Sequence, residues 1–232
     1  MQPLPRPRAI LFDLDDTLTL RQAALAHFAT HFAQDFASQL QPVEAGALIR
    51  AIESVDANGY RPRSEFVALL ARILAWVQTP DESALLAYWQ SVFPGCCAAR
   101  AGTREVLGWL RARGIALGLV TNGGEAVQQA KVDALGIRSS FATIVISASV
   151  RVEKPDPRIF HLALAALGVA PEETWYVGDH PHNDVWGAAQ IGITSVWIPG
   201  ALEWPVGVAA PDLQIAELVD VMRLVRLAER SS

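Results

Sequence analysis

The chain has 232 residues, of which 51% are hydrophobic and 19% are charged, and its formal net charge is −5 at pH 7. This length suffices for one large domain or for a domain with an insertion, and the negative charge disfavours nucleic acid as a partner. No apolar run approaches the length of a transmembrane helix, and residues 1–7 lack the apolar centre of a signal sequence, so we expect a cytoplasmic protein that does not bind membranes.

The first predicted strand lies near residues 8–14, and its apolar run does not alternate, which is typical of a parallel strand covered on both faces. Asp13 and Asp15 at its end point the same way, because side chains along a strand alternate with period two. Two such carboxylates repel each other unless a divalent cation joins them, and oxygen ligands of this kind suit Mg²⁺. The alternative is a strand end with solvated acids, where Thr17 caps a helix.

The stretch that follows is too long for a single crossover helix, and its first part shows helical periodicity with no strand pattern. Four helices are predicted, over Arg21–Leu40, Val43–Val55, Ser64–Trp76 and Asp81–Phe93. We therefore predict a helical insertion over residues 20–95 and a core made of residues 1–19 and 96–232. The chain is expected to return to the core through Phe93-Pro94-Gly95.

The next core strand is predicted over residues 116–121, and Asn122-Gly123-Gly124 follows it. Glycines after a strand let backbone N–H groups approach an anion closely, and the Thr121 hydroxyl can donate to a phosphate oxygen. A plain strand-to-helix turn, with Thr121 or Asn122 as the cap, is the alternative.

Lysine is rare in this chain, which has Lys131 and Lys154 against 17 arginines. Lys154 stands directly before a Pro-Asp-Pro sequence, and a lysine there offers a compact point charge for a phosphate group. An exposed loop lysine is the alternative. Asp156 and Pro157 indicate the N-cap and first residue of a helix over Arg158–Gly168.

Further strands are predicted near residues 143–147, 174–179 and 194–198, so that five strands alternate with helices in a parallel sheet. Asp179 ends the second of these strands, and Asp184 follows five residues later. Since the motifs lie at the carboxyl ends of strands, where open α/β sheets bind ligands, the two carboxylates can complete a cation site.

The loop after Asp179 contains His180 and His182, which raise the possibility of a zinc site. No third histidine or cysteine lies at a useful spacing, so we interpret both as loop residues. The loop is predicted to open a helix over Val185–Ile191, and a cap of that helix by Asn183 or Asp184 is the alternative to a cation site, although both roles can coexist.

In this order, the four motifs resemble those of the haloacid dehalogenase-like hydrolase superfamily, in its phosphatase branch. The matching segments are Phe12–Leu18, Val120–Gly123, Lys154–Phe160 and Val177–Asp184. The resemblance covers about residues 8–20 and 98–200. It implies an α/β fold with a Rossmann-like parallel sheet core, and it implies that the helical insertion is a mobile cap domain.

The resemblance also implies roles for the acidic residues. Asp13 would be the nucleophile and a Mg²⁺ ligand, and Asp15 would be the general acid/base and would bind the metal through its backbone carbonyl. Asp179 would bind the metal, and Asp184 would support it. Asp15 argues against a dehalogenase, because family dehalogenases lack this second aspartate. Thr17 favours a phosphatase over a mutase or phosphonatase.

By the same resemblance, Thr121 and Lys154 hold the phosphoryl oxygens of the substrate, and we assign Asn122 to the same group. In the insertion, the residues best suited to meet a substrate are Arg21, Arg61, Arg63 and Trp89, although each also fits a solvated face or an aromatic core.

We therefore predict a Mg²⁺-dependent phosphomonoesterase that acts on a small phosphorylated metabolite through an aspartyl-phosphate, as a monomer or homodimer. A sugar-phosphate mutase of the same superfamily and a catalytically idle binding protein on the same scaffold are the alternatives. Phosphoglycolate, nucleoside monophosphates and sugar phosphates all stay open as substrates, since no motif in the core distinguishes them.

Overall fold

The structure is a computed structural model that describes residues 4–231. It contains two compact units, of which one comprises the chain up to Thr19 and from Ala99 onward, and the other comprises Leu20–Ala98. Across the described residues, no helix combines the length and apolarity that a membrane crossing needs.

The unit Leu20–Ala98, here called the helical unit, contains four α-helices. They are α1 (Arg21–Asp35), α2 (Ala45–Asp56), α3 (Arg63–Ile73) and α4 (Glu82–Cys96). The predicted exit from the last helix at Phe93-Pro94-Gly95 is wrong, because α4 continues through Pro94 to Cys96. A proline in the last turn removes few helical hydrogen bonds, so the helix continues past it.

Aromatic side chains form the core of the helical unit. Phe28 lies 4.8 Å from Trp89 between ring centroids in an edge-to-face arrangement, and Trp89 stacks on Phe93 at 3.9 Å. Phe66 lies 4.7 Å from Trp89 between ring centroids, also edge-to-face. Since each large ring buries much apolar area, this cluster gives the four helices a hydrophobic core of their own.

The other unit is built on one parallel sheet with strand order β3-β2-β1-β4-β5-β6. The strands are β1 (Ala9–Phe12), β2 (Ala116–Thr121), β3 (Thr143–Ile146), β4 (Thr174–Gly178), β5 (Thr194–Trp197) and β6 (Leu213–Gln214). The predicted α/β fold is confirmed. The prediction lacks β6, because a two-residue strand is too short to show a pattern.

The position of β1 inside the sheet explains why its apolar run does not alternate with polar residues. Ile10 and Phe12 belong to a core on one face of the sheet, together with Leu107. Leu11 belongs to a separate core on the opposite face, together with Phe160. Because helices cover both faces, successive side chains all need to be apolar, and β1 is completely buried.

The helices of this unit are α5 (Thr103–Arg111), α6 (Glu125–Ala134), α7 (Ser147–Val150), α8 (Pro157–Leu167), α9 (Gly187–Ala189) and α10 (Asp220–Ser231). The predicted start of α8 is confirmed, since the Asp156 side chain accepts from the backbone N–H of Arg158 and Pro157 is the first helical residue. Gly168 ends the helix in the left-handed region, which a glycine adopts without strain.

A buried ion cluster joins the first three helices of the helical unit. Asp56 is fully buried and accepts from Arg21 at 2.6 and 2.7 Å and from Arg63 at 2.8 Å. Burial acts to raise the pKa of Asp56, but the two arginines outweigh it and hold the pKa below its usual value. Gly59 belongs to the same cluster, because a Cβ there would lie 2.8 Å from the Arg21 guanidinium carbon.

We predict that Asp56→Asn lowers the free energy of unfolding by about 3–5 kcal/mol, because it leaves two guanidinium groups without a buried counter-charge. Urea unfolding followed by circular dichroism measures the loss. Asp133→Asn is the matched control, since Asp133 pairs with Arg138 at the surface and its loss should cost no more than about 1 kcal/mol. Equal losses in the two variants would contradict the role of the cluster.

Candidate active site

Three buried carboxylates meet at the carboxyl ends of the central strands. Asp13 directly follows β1, Asp179 directly follows β4, and Asp184 lies on the π-helical turn Pro181–Trp186. Each offers an oxygen within 4.8 Å of the others, and their exposures are 6%, 7% and 1%, respectively. The parallel sheet therefore gathers groups that are up to 171 positions apart in sequence (184 minus 13).

Lys154 joins two of these carboxylates. Its ammonium donates to Asp13 Oδ1 at 2.6 Å, to Asp184 Oδ1 at 2.7 Å and to the Tyr176 hydroxyl at 2.9 Å. Sequence reasoning missed Tyr176, which lies within the strand predicted over residues 174–179. A tyrosine in a fully covered strand needs a partner for its hydroxyl, and that requirement was the available signal.

Burial and like charges dominate the electrostatics. Burial raises the pKa of Asp13 to about 7, with Asp184 adding to the rise and Lys154 opposing it. Burial, followed by the charges of Asp184 and Asp13, raises the pKa of Asp179 to about 9. Burial acts to lower the pKa of Lys154, but the charges of Asp13 and Asp184 outweigh it and the pKa is raised. Lys154 therefore stays an ammonium, while Asp13 and Asp179 resist ionisation.

The donor set fits a divalent cation. Three ionised carboxylates and one ammonium sum to a charge of −2 (−3 plus +1), which a Mg²⁺ ion would balance. The raised pKa values of Asp13 and Asp179 are consistent with a further positive charge beside these two carboxylates. Hard oxygen ligands are those Mg²⁺ prefers, so Asp13 and Asp179 would hold the ion with Asp184 beside them.

Two glycines and one tryptophan fix the positions of these carboxylates. A Cβ on Gly178 would lie 2.4 Å from an oxygen of Asp184, and a Cβ on Gly200 would lie 2.9 Å from an oxygen of Asp179. The Trp197 ring N–H donates to the backbone carbonyl of Asp179 at 2.8 Å. The glycine of the fourth motif is thus needed for close approach of Asp184 to the backbone.

The N-cap in the fourth motif differs from the alternative considered for this loop. His180, and neither Asn183 nor Asp184, is the N-cap, because its Nδ1 accepts from the backbone N–H groups of His182 and Asn183. Asp184 accepts in turn from the backbone N–H of His180 at 2.9 Å. Burial lowers the pKa of His180, which suits a neutral ring that accepts at Nδ1.

The predicted helix at Val185–Ile191 also differs from the structure, which has the π-helical turn first and then the short α9. Thr17, considered above as a helix cap, is fully buried and its hydroxyl lies 3.5 Å from Asp179 Oδ1. It therefore faces the carboxylate cluster.

In the second motif, the side chains of Thr121 and Asn122 have different hydrogen-bond partners. Thr121 ends β2, is buried, and accepts from the Gln128 amide at 2.7 Å. Asn122 was assigned to phosphate binding, but its side chain accepts from the Lys154 backbone N–H at 2.8 Å and donates to the Lys154 carbonyl at 2.9 Å. Both ends of the Asn122 amide are therefore engaged by the Lys154 backbone.

Asp15 lies beside two residues that sequence reasoning did not assign to the site. Lys131 Nζ lies 2.8 Å from each Asp15 oxygen, and Gln128 donates to Asp15 Oδ2 at 3.1 Å. The rarity of lysine was a signal for Lys131 as much as for Lys154, because both lysines of the chain are buried here. Gln128 gave no signal in the sequence.

The four residues proposed to meet the substrate lie in the helical unit. Arg21 and Arg63 bind Asp56, and Trp89 is 2% exposed in the aromatic core. These three side chains have contacts inside the helical unit, and their role toward a substrate stays a prediction. Arg61 lies 4.0 Å from Glu65 in a helical ion pair.

Comparison with known proteins shows which class of protein the chain belongs to. The haloacid dehalogenase-like hydrolase family matches residues 7–192. Phosphoserine phosphatase from Thermus thermophilus is 44% identical over 111 residues, which are 48% of this chain and 45% of that protein. Glyceraldehyde 3-phosphate phosphatase from Methanopyrus kandleri is 33% identical over 238 residues, which are 93% of this chain and 97% of that protein.

Among solved structures, the HAD-hydrolase YfnB from Bacillus subtilis bound to magnesium superposes with a TM-score of 0.78 at 20% identity, over 95% of this chain and 99% of that one. This likeness concerns the fold. The family match over most of the chain shows that the protein belongs to the haloacid dehalogenase-like hydrolases, which confirms the predicted family. It is therefore a hydrolase of this family.

We predict that the metal-free protein loses stability as the pH rises. The folded-state pKa values of Asp13 and Asp179, about 7 and about 9, exceed the ordinary value of 3.8, so the folded protein binds more protons than the unfolded chain between these limits. Stability is then greatest near the unfolded value and falls as the pH passes through the folded values. Urea midpoints in EDTA from pH 5 to 9 measure the slope.

Asp179→Asn should flatten this slope, because the amide has no charge to develop. Asp81→Asn serves as the control, since Asp81 is exposed and should leave the slope unchanged. A metal-free stability that rises across this pH range, or a slope that is equal in Asp179→Asn and the wild type, would refute the electrostatic account.

Proposed function

We propose that the protein is a Mg²⁺-dependent phosphomonoesterase that acts on a small phosphorylated metabolite through an aspartyl-phosphate. One observation carries the proposal: the buried Lys154 ammonium contacts Asp13 within a cluster of three carboxylates. The relatives support it, because those described above are named as phosphatases of phosphoserine and of glyceraldehyde 3-phosphate. Their substrates are small phosphate esters, which is the class we propose here.

In this mechanism, an Asp13 oxygen forms a bond to phosphorus while the ester P–O bond breaks. Asp15 gives a proton to the departing alcohol, and it later takes a proton from the water that attacks the aspartyl-phosphate, so that phosphate and the Asp13 carboxylate are released. Lys154 and Thr121 would stabilise charge on the phosphoryl oxygens. When bound, Mg²⁺ supplies positive charge that keeps Asp13 ionised and neutralises the phosphoryl group.

The positions of the side chains support these roles. Lys154 is held by its own contacts and by the Asn122 amide on its backbone, so the ammonium is preorganised rather than free to turn. Preorganised charge costs no reorganisation during the reaction, which is why such groups supply much of an enzyme's rate enhancement. The presence of Asp13, Asp15 and Lys154 together disfavours the catalytically idle alternative.

We further propose that the helical unit selects the substrate. In the unit that contains the sheet, the side chains described at the strand ends are proposed to bind the phosphoryl group and the metal. Recognition of the rest of the substrate therefore needs other residues. Arg61, at 26% side-chain exposure, is the most suitable of the four candidates, because Arg21, Arg63 and Trp89 have internal contacts.

We predict that Asp13→Asn abolishes hydrolysis and forms no phosphoenzyme. Asp15→Asn should keep slow reaction with p-nitrophenyl phosphate, whose leaving group needs no proton, and should accumulate phosphate on Asp13 because the second half-reaction lacks its base. Acid-quench mass spectrometry after incubation with Mg²⁺ and substrate locates the phosphate. Asp81→Asn, at an exposed position, should react like the wild type.

Two results would contradict the proposal. Phosphate trapped on a residue other than Asp13 would overturn the nucleophile, and full turnover of phosphate esters after exhaustive chelation would overturn the metal requirement.

A further inference from the structure

Lys131 is a buried lysine that none of the four motifs contains. Its exposure is 3%, and its ammonium lies 2.8 Å from both oxygens of Asp15, whose side chain is 25% exposed. The two residues are 116 positions apart in the chain. Lys131 thus holds, from the buried side, the carboxyl group to which we assign both proton transfers.

Gln128 completes this arrangement from the same helix. It precedes Lys131 by three residues on α6, so the two side chains lie on one face. Its amide donates to Asp15 Oδ2 at 3.1 Å and to Thr121 Oγ1 at 2.7 Å. Gly123, with φ of +146°, leaves room for it, because a Cβ there would lie 3.0 Å from the Gln128 side chain.

A purely structural ion pair explains these contacts less well. Taking an ammonium out of water costs several kcal/mol, and a buried pair is therefore weak support for stability compared with apolar packing. The pair also differs from the Asp56 cluster, where arginine makes the buried contacts. Lysine here reaches a carboxyl group that is partly exposed at the carboxyl end of β1, where the reaction is proposed to occur.

We propose that Lys131 is a positioning residue for Asp15, acting with Gln128 to hold the carboxyl group in reach of the leaving-group oxygen. This inference rests on the proposed phosphatase function. Because its side chain is buried, Lys131 acts through Asp15 and not on the substrate itself.

The symmetry of the contact suits a group that works in both half-reactions. Because Nζ lies 2.8 Å from both oxygens, one oxygen can turn to the substrate while the other stays bound to the ammonium. The oxygen that turns to the substrate passes its proton to the departing alcohol as the ester P–O bond breaks, and it receives a proton from water as the P–O bond to Asp13 breaks. Lys131 keeps the carboxyl group in place throughout.

The test compares Lys131→Met with the wild type on two esters in the presence of Mg²⁺. For glycerol phosphate, whose alkoxide needs a proton, kcat should fall by about 10–100-fold with KM unchanged, since a misplacement of about 1 Å can cost about 10²-fold. For p-nitrophenyl phosphate, the first-turnover release of nitrophenol should stay at the wild-type rate. A fold defect would instead slow both esters.

The same substitution in an Asp15→Asn background separates positioning from other roles. If Lys131 acts through Asp15, Lys131→Met should cause no further loss there, so the two effects are not additive. Lys131→Arg, which keeps the charge, should recover part of the lost rate on glycerol phosphate. Arg138→Met is the control, because Arg138 is an exposed basic residue that pairs with Asp133, and it should match the wild type on both esters.

Each failure has its own signature. Additive losses in the double variant, or equal losses on the two esters in both Lys131→Met and Lys131→Arg, would overturn the positioning role while leaving a working phosphatase. A wild-type protein that hydrolyses neither ester would overturn the proposed function, and with it the role of Lys131.

Discussion

The rest of the site depends on the ion pairs that the buried Lys154 ammonium makes with Asp13 and Asp184. The ammonium donates to both Asp13 and Asp184, so a carboxylate at a strand end and one on the π-helical turn share one positive charge. A third carboxylate, Asp179, lies within the same cluster, and the sum of charges leaves room for a divalent cation. A charge taken out of water is tolerated only when it is paired, so each of these groups needs the others in place.

The parallel sheet makes this pairing possible, and the loops refine it. Strands β1 and β4 are neighbours, so Asp13 and Asp179 emerge side by side. Asn122 follows the adjacent strand β2, and its side chain binds the backbone N–H and carbonyl of Lys154. These two hydrogen bonds join the loop that carries Lys154 to the end of β2. Preorganisation in this site thus arises from hydrogen bonds between strand ends as much as from the side chains that carry the charge.

Features that depend on a local sequence pattern could be predicted from the sequence. The buried strands follow from apolar runs, the start of α8 follows from Asp156 and Pro157, and Asp13 and Asp179 follow from their places at strand ends. Contacts between segments that are distant in the chain could not be predicted from local sequence patterns. The pairing of Lys131 with Asp15 and the engagement of Asn122 with Lys154 depend on the folded register, so their roles became visible only in three dimensions.

Calorimetric titration of Mg²⁺ into the metal-free protein tests the central claim most directly. At pH 8, in two buffers that differ in ionisation enthalpy, the account predicts binding that releases protons, because Asp179 with its pKa raised to about 9 must ionise as the cation binds. Proton release should be smaller in Asp179→Asn. Mg²⁺ binding without proton release, or no binding by the wild type, would contradict the claim that these buried carboxylates form a cation site.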